Sequence, residues 1–155
     1  MPAPHQTPPY ESYAAIAGLF VGGIATVAAV ARRAPAGTAL DFLALSAATF
    51  KASRTLSRER VASFVRRPFV EGEAASGEEE RPAGEGLQRA IGELVTCPRC
   101  VGAWSAAALA SSQVVAPRFG RLLTWSLGAA GVNDFLQAGF KALCAKANEL
   151  EGQAG

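Results

Sequence analysis

Hydrophobic residues gather along this chain into three long stretches that carry almost no charge. Residues 13–31 and 101–117 contain no charged side chain, and residues 122–140 contain only Asp134. A helix of roughly 20 apolar residues crosses the hydrocarbon core of a bilayer. Charges are confined to the other segments, as a bilayer requires, because an unpaired charge in lipid is costly. The pattern therefore predicts three membrane helices.

A fourth segment, residues 38–67, has an apolar first half and a strongly basic second half. Lys51, Arg54 and Arg58 are spaced three and four residues apart, so they share one face of a helix. Arg67 follows, immediately before a proline that ends the helix. Long basic side chains near a helix end can reach the headgroups from the apolar region. The segment is either a tilted fourth span or a helix that enters the membrane partway.

The remaining segments are polar or only briefly periodic. Apolar residues recur at helical spacing over residues 87–95, which predicts a short amphipathic helix at the membrane surface. The sequence thus predicts an all-α integral membrane bundle with three or four membrane-embedded helices and one interfacial helix. The predicted segments are a disordered Pro-rich tail at 1–12, the first membrane helix and the basic helix at 13–70, a disordered acidic linker at 71–86, the amphipathic helix with the cysteine turn and two membrane helices at 87–147, and a polar tail at 148–155.

The distribution of charge predicts the orientation. The net charge is only +2, which gives no reason to expect nucleic acid as a partner. Cytoplasmic loops are enriched in Lys and Arg. The N-terminus lies outside if residues 38–67 do not cross and inside if they do, but both arrangements place the basic cluster, the cysteine pair and the C-terminus in the cytoplasm. We expect a multi-pass protein of the bacterial inner membrane, in contact with the lipid bilayer.

Two of the three cysteines form the motif Cys97-Pro98-Arg99-Cys100, just before the second uncharged stretch. Proline is favoured at the first residue of a helix, so Cys97 is predicted to be the N-cap and Cys100 to lie in the first turn. Unpaired backbone N–H groups, the positive end of the helix and Arg99 then favour the thiolate of Cys97.

Three kinds of site fit such a pair. Thiol oxidoreductases use this arrangement, but on a βαβ scaffold that the sequence does not predict. A zinc site needs four ligands, so Cys97 and Cys100 would need Cys144 as a third ligand, or a second copy of the chain. A structural turn between two helices needs no ligand, because small cysteines pack well. We expect a structural or interaction role without a cofactor or enzymatic activity, with thiol redox chemistry or zinc binding as the alternative.

Two carboxylates, Asp41 and Asp134, lie in apolar surroundings. A lone carboxylate there is costly, so each is expected to be neutral, paired or at an edge. Lys51 is about 15 Å from Asp41 along one helix, so an ion pair forms more readily between helices. Asp134 can approach the face that carries Lys51 and Arg54, and we expect such a pair to fix helix packing.

Two stretches of the chain resemble the signatures of one protein family. Over residues 38–140 the chain resembles a small bacterial membrane-protein family described only as a domain of unknown function, the "1360" family, with some members linked to sporulation. The resemblance implies a helical core with paired cysteines between the helices and no established activity, and it leaves a homo-oligomer or another protein partner open. The residues that carry it are Ala48-Thr49-Phe50-Lys51, Arg54, Glu59-Arg60-Val61, Arg67-Pro68-Phe69 and the stretch Leu94 to Trp104.

Overall fold

The computed structural model describes residues 8–31, 37–72 and 80–154, and nearly all of them are helical. The prediction of an all-α fold is therefore confirmed. The α-helices in this part of the chain are α1 (Tyr10–Val30), α2 (Ala39–Arg58), α3 (Ser63–Arg66), α4 (Gly86–Thr96), α5 (Pro98–Val115) and α6 (Pro117–Ala154). Two 3₁₀ turns, Arg60–Ala62 and Arg67–Phe69, and an antiparallel pair of two-residue strands, β1 (Val70–Glu71) and β2 (Arg81–Pro82), complete it.

Two helices extend beyond the segments predicted from the uncharged stretches. α1 begins at Tyr10, inside the predicted tail, and α6 continues to Ala154, through the polar tail predicted at 148–155. Alanine, lysine and glutamate are good helix formers, so a helix can continue where the apolar pattern stops. The charge pattern therefore marks the apolar part of a helix rather than its ends. The rest of the predicted N-terminal tail, residues 1–7, lies outside the described residues.

Three helices, α2, α5 and α6, pack against one another and form what we call the central bundle. α5 and α6 form a hairpin that turns at Ala116, where Gln113 Nε2 donates a hydrogen bond of 2.9 Å to Thr124 Oγ1. We call this end of the bundle the hairpin end. The opposite end, where α5 starts after Cys97, is the cysteine end.

α2 and α6 approach each other closely because glycines line the contact. A Cβ added at Gly128 would lie 2.9 Å from the Ala44 carbonyl oxygen, and one added at Gly131 would lie 2.5 Å from the Ala47 carbonyl oxygen. Small residues allow such backbone contact between helices. The contacts advance in the same direction along both helices, so α2 is parallel to α6 and antiparallel to α5.

The interior of the fold is built from small side chains, and the large apolar side chains point outward. Some buried hydroxyls are satisfied within their own helix: Ser57 Oγ donates to the Ser53 carbonyl at 2.6 Å. Within the described residues, the buried apolar side chains are Ala48, Ala62, Ala83, Ala90, Val101 and Leu109. Exposed large ones include Phe42, Leu43, Leu122, Phe135, Leu136 and Phe140. Soluble proteins rarely expose this much apolar surface, whereas helices in lipid commonly pack through small residues.

α1 lies at the edge of the bundle, and none of its residues is buried. Its contacts are few: the rings of Phe20 and Trp104 are 5.0 Å apart between centroids, and the Tyr13 hydroxyl donates a hydrogen bond to Glu93. Tyr13 contacts the chain before Cys97, and Phe20 contacts a later turn of α5. α1 is therefore parallel to α5 and begins near the cysteine end.

Within the described residues, only α1 is long and apolar enough to cross a membrane, judged by length and composition. The spans predicted at 101–117 and 122–140 do not meet the same criterion. Both stretches are uncharged or nearly so, but they dilute their Leu, Val and Phe residues with Ala, Gly, Ser and Gln. By this criterion the part of the chain that the structure describes has one candidate span, and the three or four predicted spans are not confirmed, because an uncharged helix is not necessarily a strongly apolar one.

A buried ion pair at the cysteine end joins two parts of the chain between α2 and α4. Arg66 is fully buried, and its Nε and Nη2 donate to the two carboxylate oxygens of Glu80 at 2.6 and 3.0 Å. Arg66 Nη1 also donates to the Leu56 carbonyl at 2.8 Å. The segment predicted as a disordered linker, 71–86, is therefore ordered from Glu80 onward, and residues 73–79 lie outside the described residues.

Candidate functional site

The cysteine turn connects α4 to α5 with a single extended residue, Cys97. Pro98 is the first residue of α5, and the backbone N–H of Cys100 donates to Cys97 Sγ at 3.3 Å. Cys97 therefore caps α5 with its own sulfur, at the N-cap position that the proline spacing predicts. On the preceding turn, Thr96 Oγ1 donates to the Gly92 carbonyl at 2.9 Å and satisfies the end of α4.

The two cysteine sulfurs face each other across this turn. Cys97 Sγ and Cys100 Sγ are 2.6 Å apart, and both cysteines are free thiols. Cys97 is half-buried and Cys100 is exposed. A disulfide requires about 2.05 Å between sulfur atoms, so only a small side-chain movement separates the dithiol from the disulfide.

The surroundings shift the pKa values of the two thiols in opposite directions. Burial alone would raise the pKa of Cys97, but hydrogen bonds from the Cys100 thiol and from the backbone N–H groups of Cys100 and Arg99, with the Arg99 charge, lower it below its ordinary value. Burial, together with donation to Cys97 and the charge on Cys97, raises the pKa of Cys100 to about 11. Of the two thiols, Cys97 is therefore the one that ionises more readily.

Among the residues that the structure describes, no further metal ligands gather around the pair. Cys144 is exposed on α6, and within the described ranges no three His, Cys, Asp or Glu side chains are arranged to hold a metal ion. Zinc usually takes four protein ligands in a structural site, so Cys97 and Cys100 would supply half of one.

Cys100 also lines an apolar cleft between α1, α4 and α5, with a volume of about 490 Å³. The cleft has one polar end, where Tyr13 donates to Glu93 and Arg89 Nε donates to Glu93 Oε1 at 3.1 Å. The other lining side chains are apolar or aromatic: Ile16, Ala17, Phe20, Ala90, Leu94, Ala103 and Trp104.

The structure brings Lys51 and Asp134 together. Lys51 Nζ lies 3.1 Å from Asp134 Oδ2 across the α2–α6 seam and 2.8 Å from Glu59 Oε1. The contact with Asp134 is the interhelical pair that the sequence predicts. Glu59 is an additional partner that the pattern does not indicate, because it follows the last residue of α2. The three side chains are partly exposed near the cysteine end.

The other predicted charged residues lie in different surroundings. Asp41 forms a capping box with Thr38 at the start of α2, where Thr38 N donates to Asp41 Oδ2 at 2.9 Å. It therefore satisfies a helix end instead of pairing with a cation between helices. Arg54 is exposed beside Lys51 in a second cleft of about 470 Å³, Arg58 is half-buried, and Arg67 is exposed.

The sequence pattern missed the most buried charges, Arg66 and Glu80. One signal was available: Ala62 and Arg66 are four residues apart, so they share a helical face, and alanine favours burial of that face. This spacing favours Arg66 over Arg67 as the inward residue. No comparable signal existed for Glu80, which follows a run of acidic residues that is typical of solvated chain.

Comparison with known proteins gives a family and no further relative. A family model described as "Protein of unknown function (DUF1360)" matches residues 44–140. The match covers most of α2, the cysteine turn, α5 and the bundle part of α6, and it leaves α1 outside. No curated protein and no solved structure matches the chain. The chain thus belongs to the DUF1360 family of proteins of unknown function.

Proposed function

We propose that this chain is a multi-pass membrane protein that performs thiol–disulfide exchange with the Cys97–Cys100 pair at its cytoplasmic face. The observation that carries the proposal is the pair itself: two free thiols, 2.6 Å apart between sulfur atoms, at the start of a helix. The exposure of Cys100 favours exchange over a purely structural turn. The structural or interaction role expected from the sequence stays a prediction.

Membrane embedding of the bundle is supported by where its apolar side chains lie. α1, α2 and α5 have 21, 20 and 18 residues, which gives each a length of about 30 Å, close to the thickness of a hydrocarbon core. Most large apolar side chains of α1, α2 and α6 are exposed, and the seam between α2 and α6 is made of alanine and glycine. In lipid this surface is solvated, whereas in water it would be an aggregation hazard.

The directions of the helices favour the topology in which residues 38–67 cross. α1 and α5 run away from the cysteine end, and α2 and α6 run toward it, so the four helices alternate as in a four-span protein. All but four of the 15 Lys and Arg residues then belong to segments at the cysteine end. Because cytoplasmic loops carry the excess of positive charge, the cysteine end is proposed to be cytoplasmic. The remaining four are Arg32, Arg33, Arg118 and Arg121.

The exchange reaction uses the two thiols in sequence. The Cys97 thiolate attacks one sulfur of a disulfide in a partner, and the partner's other sulfur leaves as a thiolate. Cys100 then loses its proton to solvent and attacks Cys97 Sγ, which releases the partner's first sulfur. The partner gains two electrons and the pair becomes a disulfide. The steps reverse when the partner is a dithiol.

A trapping experiment tests this proposal. The reduced protein in detergent is treated with oxidised glutathione, and its adducts are identified by mass spectrometry. We expect the unmodified chain to form the Cys97–Cys100 disulfide, and the Cys100→Ser variant to retain a stable glutathione adduct on Cys97. The alkylation rate of Cys97 is expected to rise with pH through a midpoint below the ordinary thiol value of about 8.5.

Cys144→Ser is the matched control, because Cys144 is an exposed thiol far from the turn in sequence. It is expected to behave as the unmodified chain does in both measurements. An unreactive Cys97 in the folded Cys100→Ser variant, or an alkylation midpoint at the ordinary thiol value, would overturn the exchange proposal.

The topology has its own test. A reporter enzyme fused after Ala154 is expected to report a cytoplasmic location, and one fused at Ala36, between α1 and α2, a location across the membrane. If both fusions report the same side, residues 38–67 do not cross and the four-span arrangement is wrong. Release of the untagged protein into the supernatant without detergent would contradict embedding altogether.

A further inference from the structure

Building on the proposed exchange function, we propose that the cleft between α1, α4 and α5 binds the ring of a membrane quinone, which oxidises the Cys97–Cys100 pair. The quinone then determines the direction of the exchange: electrons pass from cytoplasmic thiols through the pair into the lipid-soluble carrier. The cleft lies beside the two sulfurs, its walls are mostly apolar, and one end carries hydrogen-bonding side chains.

The cleft gives an apolar ligand direct access to the reacting sulfurs. Cys100 forms part of the wall, and Cys97 Sγ lies 2.6 Å behind Cys100 Sγ. The volume of about 490 Å³ lies within the range typical of small-molecule sites. A ligand held there contacts the dithiol from the side of the bundle, while a protein partner can approach the exposed turn from the aqueous side.

The walls favour a flat apolar ring. Phe20 and Trp104 meet edge to face with their centroids 5.0 Å apart, and Ile16 and Leu94 supply aliphatic contacts. Aromatic side chains bind planar π-systems through stacking and edge contacts. The cleft is partly open, and one of its walls is α1, a helix without buried residues whose outer face is proposed to contact lipid. A ligand with a hydrocarbon tail can enter by this route, whereas a charged peptide such as glutathione is disfavoured there.

The polar end of the cleft matches the oxygens of a quinone. The Tyr13 hydroxyl and the Glu93 carboxylate lie there, and Arg89 is hydrogen-bonded to the same carboxylate. Tyr13 can turn its hydroxyl from Glu93 to a ligand carbonyl, because a phenol is both donor and acceptor. We assign Tyr13 as a positioning residue that orients the ring relative to Cys100.

The reaction balances with the quinone as the oxidant. The two sulfur atoms give up two electrons and form one S–S bond. The two protons released by the thiols, directly or through solvent, end on the two quinone oxygens as O–H groups. One hydroquinone is therefore produced for each disulfide formed, and no other co-reactant is required.

The experiment uses decylubiquinone, whose ring positions are all substituted, so that thiols cannot add to the ring. Fully reduced protein in lipid nanodiscs is mixed with the quinone, hydroquinone is followed by absorbance, and thiols are counted by alkylation and mass spectrometry. We expect one hydroquinone and one Cys97–Cys100 disulfide per chain, and neither in the Cys97→Ser variant. If oxidised glutathione forms the disulfide and the quinone does not, the quinone inference is wrong and the exchange proposal stands. If neither oxidant forms it, both are wrong.

Two substitutions of alanine by tryptophan on α1 test where the quinone binds. Ala17 lines the cleft, while Ala15 is exposed on the opposite face of the helix. Ala17→Trp is expected to slow oxidation by the quinone on the order of tenfold or more, because it displaces the ring from the sulfur, and to leave oxidation by glutathione unchanged. Ala15→Trp is expected to change neither. Equal quinone rates in the two variants would overturn the assignment of the cleft.

Binding of the quinone in the cleft can also be tested without changing α1. The chain has two tryptophans, and Trp104 lines the cleft while Trp125 is exposed on α6. Quinone is expected to quench saturably the fluorescence of the Trp125→Phe variant, which retains Trp104, and not that of Trp104→Phe. The reverse pattern would overturn the proposal.

Tyr13→Phe is expected to raise the KM for the quinone with little change in kcat, and an unchanged KM would contradict the role assigned to Tyr13.

Discussion

Glycines have opposite surroundings in the seam between α2 and α6 and in helix α1. At the seam, Gly128 and Gly131 lie so close to the backbone of α2 that no side chain fits. In α1, a Cβ added at Gly18 or Gly22 would have no neighbour within 4 Å. The first pair of glycines allows two helices to touch, whereas the second pair touches nothing in this chain.

The difference separates a fixed part of the molecule from a part that can move. The seam, the α5–α6 hairpin and the Arg66–Glu80 pair are close or buried contacts within the first part. α1 is attached mainly by one aromatic contact and one hydrogen bond, so it can shift with little loss of buried surface. A ligand that enters beside α1 would therefore change the cleft without disturbing the geometry of the two sulfurs.

The largest effect is expected from breaking the buried ion pair on the fixed side. Glu80→Gln leaves the guanidinium of Arg66, which is fully buried, without a counter-charge, and such a loss costs about 3–5 kcal/mol. Thermal unfolding of the detergent-solubilised protein measures it. Glu71→Gln, at an exposed position on β1, is the control and should be neutral. A loss for Glu80→Gln no greater than the control would show that the pair does not hold this region.

A methyl group in the seam is expected to have the next largest effect. The Cβ of Gly131→Ala would lie 2.5 Å from the Ala47 carbonyl oxygen, so the helices must separate, at a cost of about 1–3 kcal/mol. Gly139→Ala, in the same helix with no neighbour within 4 Å, is the matched control. If both variants unfold at the same temperature, α2 and α6 are not in the close contact described.

A smaller effect is expected for the exposed ion pair across the same seam. The side chains of Lys51 and Asp134 are 20% and 34% exposed, and Lys51 keeps Glu59 as a partner, so Asp134→Asn should cost less than about 1 kcal/mol. Thermal unfolding at low and high salt measures the loss and its screening. A salt-independent loss above about 2 kcal/mol would contradict this expectation and indicate that lipid shields the pair.

The smallest effect, with the opposite sign, is expected in α1. Gly18→Ala meets no neighbour and replaces a poor helix former, so it should stabilise α1 by about 0.5–1 kcal/mol. Helicity by circular dichroism and thermal unfolding detect the gain. A loss of stability would mean that another helix covers this face in the assembled protein, since Gly18 and Gly22 then act as the seam glycines do.

The sequence predicted the parts of the fold that depend on local chemistry. The N-cap position of Cys97 follows from one proline, and the approach of Asp134 to Lys51 follows from the scarcity of charges in apolar stretches. The Arg66–Glu80 pair was not predictable, because the two residues are separated by an acidic stretch whose composition is typical of solvated chain. The number of spans stays a prediction, because α5 and α6 carry little charge but are not strongly apolar.

The Arg66–Glu80 pair and the pairing of β1 with β2 have a practical consequence for protein engineering. Val70 faces Pro82 and Glu71 faces Arg81, so the two points where residues 73–79 join the fold are held together independently of those residues. Doubling the length of a chain closed in this way costs only about 0.6 kcal/mol. An epitope tag or a small fluorescent domain inserted there should be tolerated, and it would label the molecule without touching its helices.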